Sequence, residues 1–318
     1  MRSPLSMLAR SGQSSMAQPV LNRAVLGDRE WQEKGISKNS VRFLTFNIQS
    51  GISTTGYSQY VTRYWKHVLP HEARAQNLAR IGDLVEDFDV VALQEIDGGS
   101  IRSGFINQVE YLAARAAFPY WYTQCNRDLG PFAQMGNGVL SRIAPNKLED
   151  HKLPGAIPGR GALVMRLPFG ASNDGFDEEL MVVLLHLSLG GRSQAAQLEY
   201  VGELIDGHPN VVILGDLNAP LADVMNSSPL AGSGLRSHPR ACPTYPSWAP
   251  SQIIDHALIS ESLTLKEYDV LDCGLSDHRP VAVTVERRAA ETQRGHDSNV
   301  VTDLLAGAPR VELVPKAH

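Results

Sequence analysis

The sequence predicts an α/β fold in which mixed sheets carry helices on their outer faces. Three observations support that expectation. Short runs of aliphatic and β-branched residues recur along the 318-residue chain. Between several of them lie stretches with apolar residues at three- and four-residue steps, the spacing of one helix face. Other runs follow one another with no helical stretch between them, which argues against a pure doubly wound sheet.

The first run, VRFLTFN (Val41–Asn47), is apolar on both faces, as a strand covered on both sides must be. DVVALQE (Asp89–Glu95), LMVVLLH (Leu180–His186) and the start of VVILGDLNAP (Val211–Pro220) repeat the pattern. IIDHALIS (Ile253–Ser260), PVAVTV (Pro280–Val285), GNGVLS (Gly136–Ser141) and GALVMRL (Gly161–Leu167) are the other predicted strands. Among the predicted helices, EARAQNLARIGDLVEDF aligns Leu78, Ile81, Val85 and Phe88 on one stripe. SQAAQLEYVGELI does the same with Ala195, Leu198, Val201 and Ile205, and NQVEYLAARAAF is a third. Residues 1–40 are weakly periodic and read as a disordered leader. Residues 41–286 read as one folded domain. Residues 287–318, polar and interrupted by Gly and Pro, read as a flexible tail.

Composition narrows the function classes. The formal net charge of −5 argues against coating nucleic acid by bulk charge, so any phosphate site has to be local. No apolar run approaches the ~20 residues of a membrane helix. Cys125, Cys242 and Cys273 are far apart and odd in number, with neither metal spacing nor a disulfide framework. A reducing, cytoplasmic compartment and a monomer are expected.

The polar residues cluster where strands end. Asn47 closes the first strand, Gln94 and Glu95 the second, His186 the third, and Asp216 and Asn218 the fourth. Asp255 sits early in its strand, and Asp277 and His278 lie just before PVAVTV. In a mixed sheet the C-terminal ends of some strands share an edge with the N-terminal ends of antiparallel neighbours. Taken singly, each residue also fits a turn former or a satisfied core histidine. Turn chemistry does not account for the joint pattern. Hard oxygen donors without cysteine suit magnesium or manganese. Two imidazoles beside a cation suit phosphate, and an Asp–Asn pair can hold and deprotonate a water. Together they point to metal-assisted hydrolysis of a phosphoester.

TFN, LQE, HLS, GDLN, IDHALIS and SDHRPV occur in an order that resembles the endonuclease/exonuclease/phosphatase superfamily, from Val41 to about Glu286. That group contains deoxyribonuclease-like enzymes, abasic-site endonucleases, neutral sphingomyelinases and inositol polyphosphate phosphatases. WKHVLPH, GNGVLSR and TYPSW are similar to a bacterial branch of it. The resemblance implies a four-layer α/β/β/α sandwich of two mixed, largely antiparallel sheets with the site at one end. It implies Glu95 as principal metal ligand, with Asn47 and Asp277 beside it, and Mg2+ as cofactor with Mn2+ a possible substitute. It implies Asp216 as the residue that activates water, Asn218 holding water or phosphate, and His278 on the scissile phosphate, oriented by Asp255. His186 matches a second phosphate-facing histidine of the deoxyribonuclease-like branch. Where that branch has a carboxylate near this histidine, the present chain has the amide Asn137, which fits a turn between two glycines as readily as a site residue.

The substrate is addressed by the connections. Gln49–His71 has no acidic residue and carries Tyr57, Tyr60, Arg63, Tyr64, Trp65, Lys66 and His67, so it is expected to wall the cleft. Arg102 follows Glu95 closely, Arg160 lies in IPGRG, and Tyr245 and Trp248 lie in TYPSW. Aromatic and basic groups at a phosphate site suit nucleobases, and they suit lipid headgroups and sugar phosphates nearly as well. The first reading is a magnesium-dependent endonuclease or exonuclease acting on nucleic acid. The second is a phosphodiesterase or phosphatase for phospholipid headgroups or small phosphoesters such as inositol phosphates. A binding module that kept the fold without catalysis is the third, and the complete residue set argues against it.

Overall fold

The structure, a computed structural model, describes residues 22–23, 40–53, 72–155, 159–171, 177–226 and 229–288. In chain order the elements are β1 (Asn22–Arg23), β2 (Ser40–Asn47), α1 (Glu72–Val85), β3 (Val90–Asp97), α2 (Gln108–Arg115), β4 (Tyr120–Asp128), β5 (Gln134–Ser141) and β6 (Lys147–Lys152). They continue with β7 (Gly161–Ala171), β8 (Asp177–His186), α3 (Gly191–Ile205), β9 (Val211–Asp216), α4 (Leu221–Asn226), β10 (Asp255–Ile259), β11 (Leu263–Val270) and β12 (Val281–Arg287).

Alternation along β2 shows how the layers form. Val41 and Phe43 face a core shared with Leu163, Val182 and Leu214 of the second sheet. Leu44 and Phe46, on the opposite face, pack under Leu78 and Ile81 of α1 and Leu112 of α2. On the far side, α3 lays Leu198, Val201 and Ile205 over Val183, Leu185 and Ile213. Both faces of each central strand are therefore buried, and the result is the expected α/β/β/α sandwich. One sheet has seven strands, ordered β1-β4-β5-β3-β2-β12-β11, and the other five, ordered β10-β9-β8-β7-β6.

β4, β6, β11 and α4 were not among the predicted elements. β6 and β11 lie at sheet edges with one side in water, so their sequences (KLEDHK, LTLKEYDV) mix polar and apolar residues and hide the strand signal. Within the stretch read as a leader, Asn22 and Arg23 pair antiparallel with Trp121 and Tyr120 of β4.

The topology decides where the functional ends meet. Each sheet holds one parallel pair, β2–β3 joined through α1 and β8–β9 joined through α3. Parallel strands bring their C-terminal ends to one edge, and the antiparallel neighbours β12 and β10 start there. Among the described residues no helix is long and apolar enough to cross a membrane.

Candidate active site

Register assembles the site. His186 stands opposite Asp216 across β8–β9, and Asp216 opposite Asp255 across β9–β10. In the other sheet Asn47 pairs with Gln94. The two rims touch where Asn47 Nδ2 donates to Asp216 Oδ2 at 3.1 Å.

Local backbone features fine-tune this. Between Leu93 and Ile96, β3 carries one residue more than β5, a bulge that re-aims a side chain. Glu95 sits in it at φ +55° and leaves its carboxylate 42% exposed, 3.9 Å from His186 Nε2. Gly215 takes φ +151°, and a Cβ there would run into the Leu185 carbonyl oxygen. Only glycine lets β9 approach β8 this closely, and His186 Nε2 then lies 3.6 Å from Asp216 Oδ2. Asn218, at φ +50°, donates its backbone N–H to Asp216 Oδ1 at 2.9 Å.

His278 precedes β12. Its Nδ1 lies 2.9 Å from Asp255 Oδ2, and its Nε2 lies 3.8 Å from Asp216 Oδ2. An ionised carboxylate only accepts, so Nδ1 carries the proton. The Tyr245 ring tilts against the imidazole with centroids 4.8 Å apart.

The environment sets the charges. Burial pushes His278 down, but the Asp255 carboxylate, its hydrogen bond and the charges of Asp216 and Asp277 outweigh burial and raise it to about 10. Burial, with the positive charges of Arg160 and His278, holds His186 well below its usual range, so this imidazole is neutral. Burial and the Asp255 charge raise Asp216 to about 7, against the opposing pull of His278, Asn218 and Asn47. Burial and the Glu95 charge raise Asp277 to about 6, despite His278.

Burial is the larger cause of both raised carboxyls and a neighbouring carboxylate adds to it, a shortage of positive charge that a divalent cation would relieve. Glu95 is close enough for its charge to act on Asp277, and carboxylate and amide oxygens are the donor type such a cation takes. Ligand atoms of Asp216, Asp255 and His278 also lie within 4.8 Å of one another. There the imidazolium already neutralises Asp255, so the cluster reads as an acid–base row rather than a cation cage.

A cavity of about 480 Å³ opens beside this row, lined by Glu95, His186, Asn137, Arg160, Arg127 and Ser188 among others. The Arg160 carbonyl accepts from Leu153 N at 3.0 Å, but its guanidinium makes no hydrogen bond among the described residues, and burial lowers its pKa against the opposing charges of Glu95 and Asp216. Several expected substrate contacts turn out differently. Arg102 reaches the cavity wall but donates Nε to Asp97 Oδ2 at 2.8 Å, a buried ion pair. Asn137 lies at the cavity with its donor committed, Nδ2 to Gln124 Oε1 at 3.0 Å and to Gly161 O at 3.1 Å, and its Oδ1 is buried. The Asn218 side chain donates one N–H to Leu187 O at 2.9 Å, which leaves its carbonyl oxygen and a second N–H. Trp248 is half-buried and does not line the cavity. Arg63, Trp65 and Lys66, with the rest of the expected wall from residue 54 to 71, lie outside the described residues.

Some contributors were not anticipated. Gln49 Nε2 donates to Asp277 Oδ2 at 3.0 Å, and Asp97 gathers Gly99, Ser100, Arg102 and Ser103 into the turn after β3. Gln49 lies only two residues beyond Asn47, the one hint available. Nothing in the sequence separates Asp97 or Gln124 from any polar strand residue.

No curated protein matches the chain in sequence. Among solved structures, an endonuclease/exonuclease/phosphatase from Beutenbergia cavernae superposes with a TM-score of 0.60 at 21% identity, covering 79% of this chain and 72% of that one. Bacteroides thetaiotaomicron mannosyl-6-phosphatase gives a TM-score of 0.53 at 17% identity over 77% of this chain and 99% of its own. D. rerio TDP2 complexed with single strand DNA product gives 0.53 at 18% identity over 78% and 99%. At these identities the likeness is one of fold. Residues 44–278 match the sequence profile of the Endonuclease/Exonuclease/phosphatase family, whose members are phosphoric ester hydrolases. The chain belongs to that family.

Proposed function

We propose that the protein hydrolyses a phosphodiester by in-line attack of a water activated at Asp216. In this reading Mg2+ is held by Glu95, Asp277 and Asn47, and Mn2+ can replace it. The observation that carries it is the buried row Asp255–His278–Asp216, with a neutral His186 beside it and the half-exposed Glu95 at the cavity.

Asp216, raised to about 7, is poised to take a proton near neutral pH. Asn47 Nδ2 and the Asn218 N–H hold its two oxygens in place, one each. His278 stays charged and directs Nε2–H at a phosphate oxygen as negative charge grows there, with Asp255 fixing the ring. His186, neutral, presents a second N–H from the cavity side. The acceptor oxygen left on Asn218 suits a water. A divalent cation, when bound, would neutralise the phosphate and favour departure of the leaving oxygen.

The arginines at the cavity, Arg127 and Arg160, favour nucleic acid as the first substrate reading. The second reading, a phospholipid headgroup or small phosphoester, is favoured by one observation: Leu189 lines the cavity and is 79% exposed, and its aliphatic side chain has no π-face for a base. The fold accommodates both classes, since one similar structure holds a DNA product and another is a sugar phosphatase.

The test is a substrate panel with Mg2+: plasmid, single-stranded DNA, abasic duplex, RNA, sphingomyelin and inositol phosphates, with Asp216→Asn and His278→Ala as controls. Turnover that disappears with chelator and in both variants supports the reading. Wild type and variants behaving alike on every substrate would overturn it.

A further inference from the structure

The turn that follows Asn47 touches all three groups assigned above to the cation. Gln49 N donates to Asn47 Oδ1 at 3.1 Å, Gln49 Nε2 to Asp277 Oδ2 at 3.0 Å, and Ser50 Oγ to the Glu95 carbonyl oxygen at 3.0 Å. Those three groups come from separate places: the end of β2, the bulge of β3 and the turn before β12. We propose that Gln49 is a positioning residue and that the Gln49–Ser50 turn is a clasp that sets the spacing of the cation ligands. The inference rests on the metal-dependent hydrolase reading and deepens it.

The turn has the features of a device held in place by its surroundings. Gln49, Ser50 and Gly51 take φ +46°, +53° and +77°, a left-handed run that side chains resist. Non-glycine residues stay in that region only when the neighbouring structure over-determines them. Here Gln108 Nε2 donates to Ser50 O at 2.8 Å, and Gly51 N to Ile48 O at 2.7 Å. Asn77 Nδ2 bridges Gly51 O at 3.2 Å and Leu275 O at 2.7 Å, tying the turn to the segment that leads to Asp277. Gln49 and Ser50 are both buried.

The chemistry of the contact fits the role. Asp277 Oδ1 accepts from Ser276 Oγ at 3.1 Å and Oδ2 from Gln49 Nε2, so both oxygens are oriented by neutral donors. A lysine or arginine at that position would orient the carboxylate equally well but would repel a divalent ion. An amide fixes the ligand and adds no charge. Groups in such outer positions tune metal affinity by holding the direct ligands in geometry.

The experiment titrates the purified full-length protein with Mn2+, reading free Mn2+ by its EPR signal, with thermal melts in parallel. Gln49→Leu is expected to weaken Mn2+ binding by about 10–100-fold, with kcat largely recovered at saturating Mn2+. Ser50→Ala is expected to shift affinity in the same direction by less. Ser53→Ala removes a bond to Gly274 O without touching a ligand, and its Mn2+ affinity should match wild type. If Gln49→Leu does not fold, Gln49→Met replaces it. A folded variant with a lower Tm but an Mn2+ affinity within about twofold of wild type would show a structural role only and overturn the clasp. Failure of the wild type itself to bind Mn2+ would overturn the metal reading, and the clasp with it.

Discussion

His278 holds Asp255 at 2.9 Å through Nδ1 and so turns its Nε2 to within 3.8 Å of Asp216 Oδ2. One imidazole thus links the two carboxylates that stand opposite each other in the β9–β10 register. Asp255 is 1% exposed, so its charge acts on the ring with little screening by water.

Asp255→Asn tests that link. The amide loses the charge that keeps His278 protonated and no longer dictates which ring nitrogen carries hydrogen. The expected outcome is a fall in kcat/KM of about 10²–10⁴-fold, with a lowered His278 pKa visible by NMR titration. A variant with near wild-type kcat/KM would remove this pair from the mechanism.

The pH dependence follows from the raised carboxyls. Asp216 and Asp277 sit at about 7 and about 6, above their ordinary value of 3.8. Each contributes nothing below its unfolded pKa, and each destabilises the metal-free fold increasingly as pH rises toward its folded value. His278, raised to about 10, contributes stability that is complete below its ordinary 6.5 and fades as pH rises through 10. Those two effects have the same sign; His186, held well below 6.5, opposes them by gaining stability as pH rises toward 6.5, so the metal-free protein should lose Tm above about pH 6.5 and up to about 10. Bound metal displaces those protons, so Mg2+ should raise Tm more at pH 8 than at pH 5, with proton release on binding near pH 6. Calorimetry in buffers of different ionisation enthalpy measures both, and an Mg2+ effect that is flat with pH would contradict the assignment.

Gly215→Ala forces a methyl against the Leu185 carbonyl at a φ that alanine resists. Strain of this kind costs on the order of 1–3 kcal/mol, and separating β8 from β9 also parts His186 from Asp216. Urea denaturation should show the loss, and residual activity should fall further than the folded fraction does.

Arg160→Ala removes a guanidinium that lines the cavity without a hydrogen-bond partner among the described residues. KM should rise about tenfold or more with kcat little changed, the pattern of lost ground-state binding. A drop in kcat at constant KM would place Arg160 on the transition state instead.

Much of this site could be read from sequence because its parts are local. VVILGDLNAP announces a buried strand that stops on a carboxylate, and the same reasoning locates Asn47, Glu95, His186 and Asp255 at their strand ends. The edge strands were illegible for an equally local reason: β11 and β6 face water on one side, and their alternation is diluted by charge. Arg102 illustrates the opposite case. Its proximity to Glu95 suggested a substrate contact, but the buried Asp97 takes the guanidinium. No pattern along the chain reveals that choice.

The sequence by itself determined the α/β class, most of the strands and the inventory of carboxylates, amides and imidazoles at their ends. Those properties depend on side-chain type and period, which each segment carries within itself. Only the tertiary structure decided the pairings: Asn47 with Asp216 across the two sheets, Gln49 with Asp277, Asn137 turned inward to Gln124 and Gly161. Such contacts depend on register, on one bulge and on how two sheets meet, and they join residues as far apart as 228 positions. The Glu95 bulge and the close approach at Gly215 convert a set of polar strand ends into an arrangement with defined distances.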